Sequence, residues 1–579
     1  MPIDPRVDDL LGRLTPAEKV GLMFHTVIEV GRDGEPLTGP GAISKSSTRH
    51  VVVDKCMSHF NVHAVPDART AARWHNNVQR LAQQTPHQVP VTISSDPRHA
   101  HVQNAGTSWS ANFLSVWPEP LGLAALRDPD LVRRFADTVR REYRALGIRA
   151  ALHPTADLAT EPRWGRQRET FGQDHELVAE LVAAYLEGLQ GAELGPESVA
   201  ATTKHFPGAG PQAGGEDAHF PYGKDQVYPG GRFQEHLAPF RRAIGAGTTA
   251  IMPYYGRPLG LVVDGEPVEA VGFGYNKQVL TRLLREELGY DGVIVSDWEL
   301  VNDNHVAGQV LPARAWGVEH LDPKQRMLTI LDAGADQFGG EECTELLLQL
   351  LEEGRVSEQR IDDSALRLLQ VKFQLGLFDD PFVDEDAAES ETGRPADVAA
   401  GLRAQSESIV VLSDGIGLPL SGHQRFYVEG VDPGQAARLG TVVESPEQAD
   451  LAVVRLEAPH DPRDDLFLEA FFRQGSLDFR PGLVVRLARI AEHCPMVLDV
   501  ALDRPAVLTP LVEHCSLLTG SFGVSDAAWL DALLGVTAPR GRLPFQLPRS
   551  MNAVRGSRED VAGDTDDPLF DHGFGIQPR

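Results

Sequence analysis

The sequence predicts an α/β protein with an N-terminal (β/α)8-type barrel followed by a smaller α/β domain. Three observations predict this fold. Apolar runs typical of buried strands alternate with amphipathic helical segments through residue 378. An acidic segment then interrupts the alternation, and a second alternating region follows. So many consecutive strand–helix units favour a closed parallel barrel, and an open doubly wound sheet is the alternative.

The helices of the first region are predicted from apolar stripes at helical spacing and from end signals. The helix at 128–147 has clear ends, because Asp128 is a favoured N-cap and Gly147 suits the stop. The predicted helices span 6–22, 67–84, 128–147, 175–191, 232–247, 276–292 and 360–378. The predicted strands span 59–65, 89–96, 199–206, 249–255 and 293–295, with 149–160 and the end of 327–340 at the remaining strand positions.

Three segments divide the chain. Residues 1–378 are predicted to form the barrel and residues 398–579 the second domain. Residues 379–397 carry many acids with Pro and Gly and show almost no apolar periodicity. Such a composition predicts a linker.

The charge and cysteine content exclude several classes of function. Lys and Arg total 54 against 82 Asp and Glu, and the net charge of −28 repels nucleic acid and anionic membranes. No run approaches the length of a membrane-spanning helix, and the N-terminus lacks the apolar core of a secretory signal. The four cysteines are far apart and show no metal-ligand spacing. We therefore expect a cytoplasmic protein that binds neither nucleic acid nor membrane.

Polar residues recur at the C-terminal ends of the predicted strands, namely Asp96, Lys204, His205, Tyr255 and Asp297. In a barrel these ends meet on one face, where active sites lie. The stretch GVIVSDWEL shows the pattern best, because a buried apolar run ends abruptly in Asp297 and Trp298. A helix cap at Asp297 and a core position for Trp298 are the structural alternative. The other polar strand ends favour a functional site.

The loop after Lys204 and His205 reads KHFPGAGPQAGGEDAHF and leads to Asp217 and His219. Its glycines permit a tight turn with exposed backbone. Lysine and histidine donate to hydroxyl groups, and aspartate accepts from them. The loop therefore suits a polyhydroxylated ligand, although a Lys-His pair alone is also typical of a surface turn.

Together the motifs resemble those of glycoside hydrolase family 3 over almost the whole chain. DDLLGRLTPAEKVGLM is similar to the family's opening helix, DLATEPRWGRQRETFGQD to its DLARDPRWGRxxExFGED segment, and KHFPGAG to its KHF loop. GVIVSDW resembles its nucleophile strand, DAGADQF its AGxD segment, and PLFDHGFGI its PLFPFGxGLSY ending. The resemblance implies a barrel followed by an α/β sandwich domain.

The resemblance also implies roles for particular residues. Asp297 is the expected catalytic nucleophile, and Trp298 is expected to form a wall of the glycone subsite. The residues expected to bind the hydroxyls of the −1 sugar are Asp96, Arg163, Lys204 and His205. Tyr255 matches the tyrosine of the family's SYN-like segment, which reads YYG here.

The activity implied by the resemblance is that of a retaining exo-β-glycosidase, with a β-glucosidase preferred. Such an enzyme releases a non-reducing terminal glucose in two displacements through a covalent intermediate, here on Asp297. The resemblance implies no cofactor and no metal, and it implies a small or oligomeric β-glycoside as the substrate. The sequence leaves the oligomeric state open, a homo-oligomer included.

The acid/base partner is left open by the sequence. Most two-domain relatives place a glutamate after a VVVGE-like strand of the second domain, where this chain reads ADLAVVRLEAPHDPRDD. Glu457 and Asp461 are the candidates there, and Asp461 is slightly preferred because it lies further out on the loop. The β-N-acetylglucosaminidase branch instead uses an Asp-x-His dyad, which Asp217 and His219 match in a loop longer by two residues. Histidine can be a general acid when a partner aspartate orients it.

Three other functions are alternatives. A metal-dependent hydrolase could use the pair His99 and His101. His205 and Asp297 would complete its ligand set. A non-catalytic sugar-binding relative would retain the barrel, and a β-N-acetylglucosaminidase would use the Asp-x-His dyad.

Overall fold

The computed structural model describes residues 4–101, 111–306, 308–422 and 424–577. Its larger sheet has eight strands, and each pairs in parallel with its neighbours. The strands are β1 (Phe24–Ile28), β2 (His59–Val62), β3 (Thr92–Ser95), β4 (Ile148–Ala151), β5 (Ala200–Phe206), β6 (Ala250–Pro253), β7 (Val293–Ile294) and β8 (Phe338–Gly339). β8 pairs with β1, and a parallel bridge between Val295 and Gln337 joins β7 to β8 and closes the sheet. The predicted (β/α)8-type barrel is confirmed.

Strand β1 is absent from the predicted set. Its five residues follow almost directly on a helix, and they include the buried polar side chains of His25 and Thr26. Only Met23 separates this run from the helix before it, so no turn residue marks the boundary between the two elements.

The helices of the barrel region are Pro5–Arg13, Pro16–Leu22, Ala68–Ala82, Pro120–Leu126, Pro129–Ala145, His175–Gln190, Phe233–Gly245, Gln278–Glu287, Pro323–Ala333, Thr344–Glu352 and Glu358–Gln374. The prediction of one helix at 6–22 is wrong, because the chain forms two helices there. Thr15 caps the second helix, since its hydroxyl accepts the Glu18 N–H while Glu18 accepts the Thr15 N–H. Pro16 starts this helix and could not continue the preceding one.

Residues 379–397 lie against the barrel. The Asn76 amide donates to the Val383 carbonyl at 2.9 Å and accepts the Val383 N–H at 3.0 Å. Arg73 pairs with Glu385 at 3.2 Å. The acidic segment is thus held by specific contacts, and the domain boundaries on either side of it stay predictions.

The second region is built on a six-stranded sheet. Its strands are β9 (Val410–Asp414), β10 (Arg425–Glu429), β11 (Thr441–Val443), β12 (Leu451–Glu457), β13 (Met496–Ala501) and β14 (Leu517–Ser521). The sheet order is β9-β14-β13-β12-β10-β11, and every pair is parallel except β9 with β14. Its helices are Pro395–Ser408, Pro433–Ala436, Pro481–His493, Thr509–Val512, Asp526–Leu533 and Met551–Gly556.

Two apolar clusters cover the six-stranded sheet. Val497 belongs to one cluster and Leu498 to the other, and alternate residues of a strand point to opposite faces. This layering is that of the expected α/β sandwich. Among the helices in the described ranges, none is long and apolar enough to cross a membrane.

Candidate active site

The C-terminal ends of the barrel strands surround one cavity. Asp96 follows β3, Lys204 and His205 lie near the end of β5, and Asp297 follows β7. Parallel strands deliver these side chains to the same face of the barrel. The sequence-derived candidates that line the cavity are Asp96, Lys204, His205, His219, Tyr255, Asp297 and Trp298.

Asp297 has one carboxylate oxygen that is available to a ligand. Its Oδ1 accepts the Trp298 N–H at 2.8 Å. Its Oδ2 is buried and has no hydrogen-bond partner among the described residues, and His205 Nε2 lies 4.0 Å away. The Tyr255 hydroxyl also accepts the Trp298 N–H, at 3.0 Å, and so supports the turn after β7. Burying a carboxylate oxygen without a partner is costly, and atoms buried in this way are typical of functional sites.

His205 is held as a neutral imidazole. Its Nδ1 lies 2.8 Å from Asp157 Oδ2, and its Nε2 lies 3.2 Å from Arg166 Nη2. Burial holds the pKa of His205 well below its ordinary value, and the Arg166 charge lowers it further. Burial raises the pKa of Asp157 to about 6. At neutral pH the Asp157 carboxylate therefore accepts the Nδ1–H, and Nε2 accepts a hydrogen bond from Arg166.

Arg166 takes the place that the sequence assigns to Arg163. The Arg163 guanidinium pairs with Glu161 at 2.7 Å, and Arg163 is not among the described residues that line the cavity. Arg166 lines the cavity and pairs with Glu169 at 2.8 Å. Its Nη1 is buried without a hydrogen-bond partner in the described part of the chain. Of the two arginines in the PRWGR turn, the structure therefore brings Arg166 to the cavity, whereas the sequence favours Arg163.

Ion pairs line two further parts of the cavity wall. Lys204 Nζ lies 2.9 Å from Asp96 Oδ1. Glu299 pairs with Arg314 at 2.6 Å and with Lys45 at 3.3 Å. Sequence reasoning misses this second group, and the position of Glu299 just beyond SDW is the signal that could have found part of it. Both walls offer hydrogen-bond donors and acceptors to hydroxyl groups.

His219 and Asp217 form a hydrogen-bonded pair at the cavity. His219 Nδ1 lies 2.6 Å from Asp217 Oδ1, and its ring packs edge-on against Tyr255 with centroids 4.7 Å apart. Burial would raise the pKa of Asp217, but the charge and hydrogen bond of His219 and the Arg166 charge outweigh it and hold the pKa at about 2. The ionised Asp217 carboxylate accepts a hydrogen bond from His219 Nδ1–H. The other ring nitrogen, Nε2, is then the one that can exchange a proton with a ligand.

The structure does not bring Glu457 or Asp461 to the cavity. Glu457 ends β12, its side chain is 71% exposed, and it pairs with Arg473 at 2.9 Å. Asp461 accepts the Ser476 N–H at 2.9 Å. Neither is among the described residues that line the cavity. The loop that carries Asp461 instead contributes Phe467, Leu468 and Phe472 to the lining.

The alternative metal-ligand set is not assembled around the cavity. His99 Nε2 lies 2.8 Å from the buried Glu142 carboxylate, and His205 is engaged by Asp157. Within the ranges that the structure describes, no group of three or more His, Cys, Asp and Glu side chains is arranged to hold a metal ion.

Sequence comparisons match the whole chain to known enzymes. The family model described as the glycosyl hydrolase family 3 N-terminal domain matches residues 42–371. A probable β-glucosidase C of Aspergillus oryzae is 48% identical over 581 residues, which cover 99% of this chain and 90% of that protein. A periplasmic β-glucosidase/β-xylosidase of Dickeya chrysanthemi is 38% identical over 594 residues, which cover 100% of this chain and 90% of that protein.

Solved structures share the fold. A β-glucosidase from Erythrobacter marinus matches with a TM-score of 0.79 at 20% identity, covering 99% of this chain and 82% of that chain. A β-glucosidase from Listeria innocua in complex with isofagomine matches with a TM-score of 0.74 at 22% identity, with coverage of 99% and 82%. The barrel carries its polar cavity at the C-terminal ends of the strands, which is where enzymes of this fold have their active sites. Because the family model matches residues 42–371 and relatives match almost the whole chain, the chain belongs to glycosyl hydrolase family 3.

Proposed function

We propose that the protein is a retaining exo-β-glucosidase that removes terminal glucose from the non-reducing end of a β-glucoside. The observation that carries the proposal is Asp297 Oδ2, which has no hydrogen-bond partner among the described residues and lies at a cavity walled by ion pairs. Full-length relatives named β-glucosidase support glucose as the sugar.

The reaction uses two displacements at the anomeric carbon. In the first, Asp297 Oδ2 attacks that carbon while its bond to the aglycone oxygen breaks. His219 Nε2–H gives its proton to the departing oxygen, so an alcohol leaves and a glycosyl ester of Asp297 remains. In the second, a water attacks the same carbon, gives a proton to His219 Nε2 and releases the Asp297 carboxylate. Two inversions retain the β configuration.

The role of His219 rests on its position beside the nucleophile strand. Its ring contacts Tyr255, and the Tyr255 hydroxyl accepts the N–H of Trp298, the residue after Asp297. The two candidate catalytic groups therefore flank one tyrosine. Asp217 stays ionised and stabilises the protonated imidazole.

A cytoplasmic location is kept as part of the proposal. All four cysteines are free, which suits a reducing compartment. The Dickeya chrysanthemi relative is named periplasmic, so cell fractionation with an antibody against this protein is the appropriate test. Recovery in the periplasmic or secreted fraction would contradict a cytoplasmic location.

A panel of aryl β-glycosides tests the proposed activity. We expect the highest kcat/KM with the β-glucoside, lower values with the β-xyloside and the N-acetyl-β-glucosaminide, and no change on addition of a chelator. The first product seen by NMR should be β-glucose. Preference for the N-acetyl sugar, α-glucose as the first product, or loss of activity with chelator would contradict the proposal.

A further inference from the structure

We infer that Phe472 and Gln474, which belong to the second domain, are positioning residues for His219, and the inference rests on the proposed acid/base role of that histidine. The Phe472 ring lies 4.6 Å from the His219 ring at an angle of 33°. Phe472 is 6% exposed. Tyr255 of the barrel contacts the same imidazole with centroids 4.7 Å apart. Two aromatic rings, one from each region of the chain, thus restrict the rotation of the imidazole.

Gln474 holds the aspartate of the pair. Its Oε1 accepts the Asp217 N–H at 2.7 Å, across 257 residues of sequence, and Gln474 is 1% exposed. Trp164 Nε1 donates to Asp217 Oδ2 at 3.2 Å. Because Asp217 Oδ1 binds His219 Nδ1, the orientation of the imidazole depends on Gln474 through the aspartate.

A buried arginine fastens this segment to the barrel. Arg504 donates to the backbone carbonyl of Arg163 in the barrel at 2.8 Å, and to the carbonyls of Gly475 and Ser476 at 3.2 and 3.0 Å. Burial lowers the pKa of Arg504 to about 10, so the guanidinium stays charged at neutral pH. Charged donors make the stronger hydrogen bonds of a protein interior. The segment that carries both positioning residues is therefore fixed relative to the barrel.

The second domain thereby acts on proton transfer without supplying the proton donor. General-acid catalysis depends on the position of the donor relative to the departing oxygen. A phenol needs a proton as it leaves, whereas dinitrophenolate departs without one. Misplacement of His219 therefore slows phenyl glucoside cleavage selectively, and a packing defect that only lowers the amount of active enzyme slows both reactions alike.

The test compares kcat/KM for phenyl and dinitrophenyl β-glucosides. In Phe472→Leu and in Gln474→Met we expect a loss of about tenfold or more with the phenyl substrate and of less than about threefold with the dinitrophenyl substrate. Phe472→Tyr keeps the ring and Gln474→Glu keeps the acceptor oxygen. Both variants should therefore retain most of the wild-type kcat/KM with the phenyl substrate. Phe471→Leu is the matched control, because that ring packs on Phe467, and its two rates should change by the same factor.

Equal losses with both substrates in Phe472→Leu and Gln474→Met overturn the positioning roles. His219→Ala distinguishes this result from failure of the proposed function. If His219→Ala also shows no difference between the substrates, His219 is not the acid. If His219→Ala shows the difference and the two positioning variants do not, only the positioning roles fall. Should Phe472→Leu not fold, Gln474→Met and Phe472→Met carry the same comparison.

Discussion

Both sheets carry a buried aspartate, one shortly after a barrel strand and one within a strand of the second sheet, and the two have different surroundings. In the barrel, Asp297 follows β7 at the cavity, and its Oδ2 has no hydrogen-bond partner in the described ranges. In the six-stranded sheet, Asp499 of β13 is buried and accepts hydrogen bonds from Thr519, Ser521 and Arg455 at 2.7, 2.7 and 3.0 Å. One carboxylate is left for a ligand, and the other is fully engaged by its own sheet.

The difference teaches that a buried charge on a sheet does not by itself identify a site. Arg455, the cation beside Asp499, also pairs with Asp526 at 2.7 Å, so these three charges are paired with one another within the protein. At the barrel cavity, Asp297 Oδ2, Arg166 Nη1 and Arg314 Nε all lack a hydrogen-bond partner among the described residues. Atoms of this kind, with a cavity beside them, are what a polar ligand can satisfy.

The largest effect is expected from removing the barrel carboxylate. Asp297→Asn preserves the shape of the side chain but removes the nucleophile, so kcat should fall about ten-thousandfold or more, roughly 5.5 kcal/mol in activation free energy. Steady-state kinetics with dinitrophenyl β-glucoside measure it on protein of matched folded content. Turnover near the wild-type rate would remove the functional contrast between the two sheets.

Next in size is the effect of neutralising the partner of His219. Asp217→Asn removes the charge that stabilises a protonated imidazole, so kcat/KM for phenyl β-glucoside should fall about a thousandfold. The alkaline limb of the pH profile should move to lower pH. Because the pKa of Asp217 is about 2, its own titration lies below the working range and does not shape the profile. An alkaline limb at the wild-type position would contradict the proposed role of Asp217 in proton transfer by His219.

The corresponding change in the second sheet should affect stability and leave catalysis intact. Asp499→Asn leaves the buried Arg455 with only part of its compensating charge, and the free energy of unfolding should fall by about 3 kcal/mol. Urea denaturation measures the loss, and kcat/KM of the folded variant should equal the wild-type value. Asp450→Asn is the control, because its pair with Arg425 is largely exposed and should contribute less than about 1 kcal/mol. Loss of catalysis in Asp499→Asn without loss of stability would contradict the purely structural role assigned to Asp499.

The smallest effect concerns the buried histidines of the barrel. Burial lowers the pKa of His75 to about 4 and that of His25 to about 3. Below about pH 6.5 the unfolded chain takes up protons that these native rings do not, so the free energy of unfolding falls with pH by up to about 1.4 kcal/mol per pH unit for each ring. In His75→Gln, urea midpoints at about pH 7 and pH 5 should differ less than in the wild type. An unchanged difference would show that His75 does not titrate in this way.

Most of the fold could be predicted because strand-like and helical segments alternate regularly along the chain. The predicted strands 199–206 and 249–255 are observed as Ala200–Phe206 and Ala250–Pro253. Strand β1 could not be predicted in this way, since only Met23 separates it from the preceding helix and no turn residue marks the boundary. Local end signals matter as much, because the Pro16 start divides the predicted first helix.

Strand-end residues of the candidate site could be placed from the sequence, and loop residues could not. Asp157 lies in the loop beyond β4 and reaches His205 only through the path of that loop. The choice between Arg163 and Arg166 depends on a single turn. Glu457 shows the converse, because it lies at the end of β12 as the sequence suggests while its side chain faces solvent.

The central claim is that Asp297 is the nucleophile of a retaining glucosidase. Mass spectrometry after reaction with a fluorinated dinitrophenyl glucoside, which forms a slowly hydrolysed glycosyl–enzyme, tests this claim most directly. The expected result is one fluoroglucosyl group per chain, on the peptide that contains Asp297, and none on Asp297→Asn. A label on another residue, or turnover of a glucoside by Asp297→Asn at the wild-type rate, would contradict the claim.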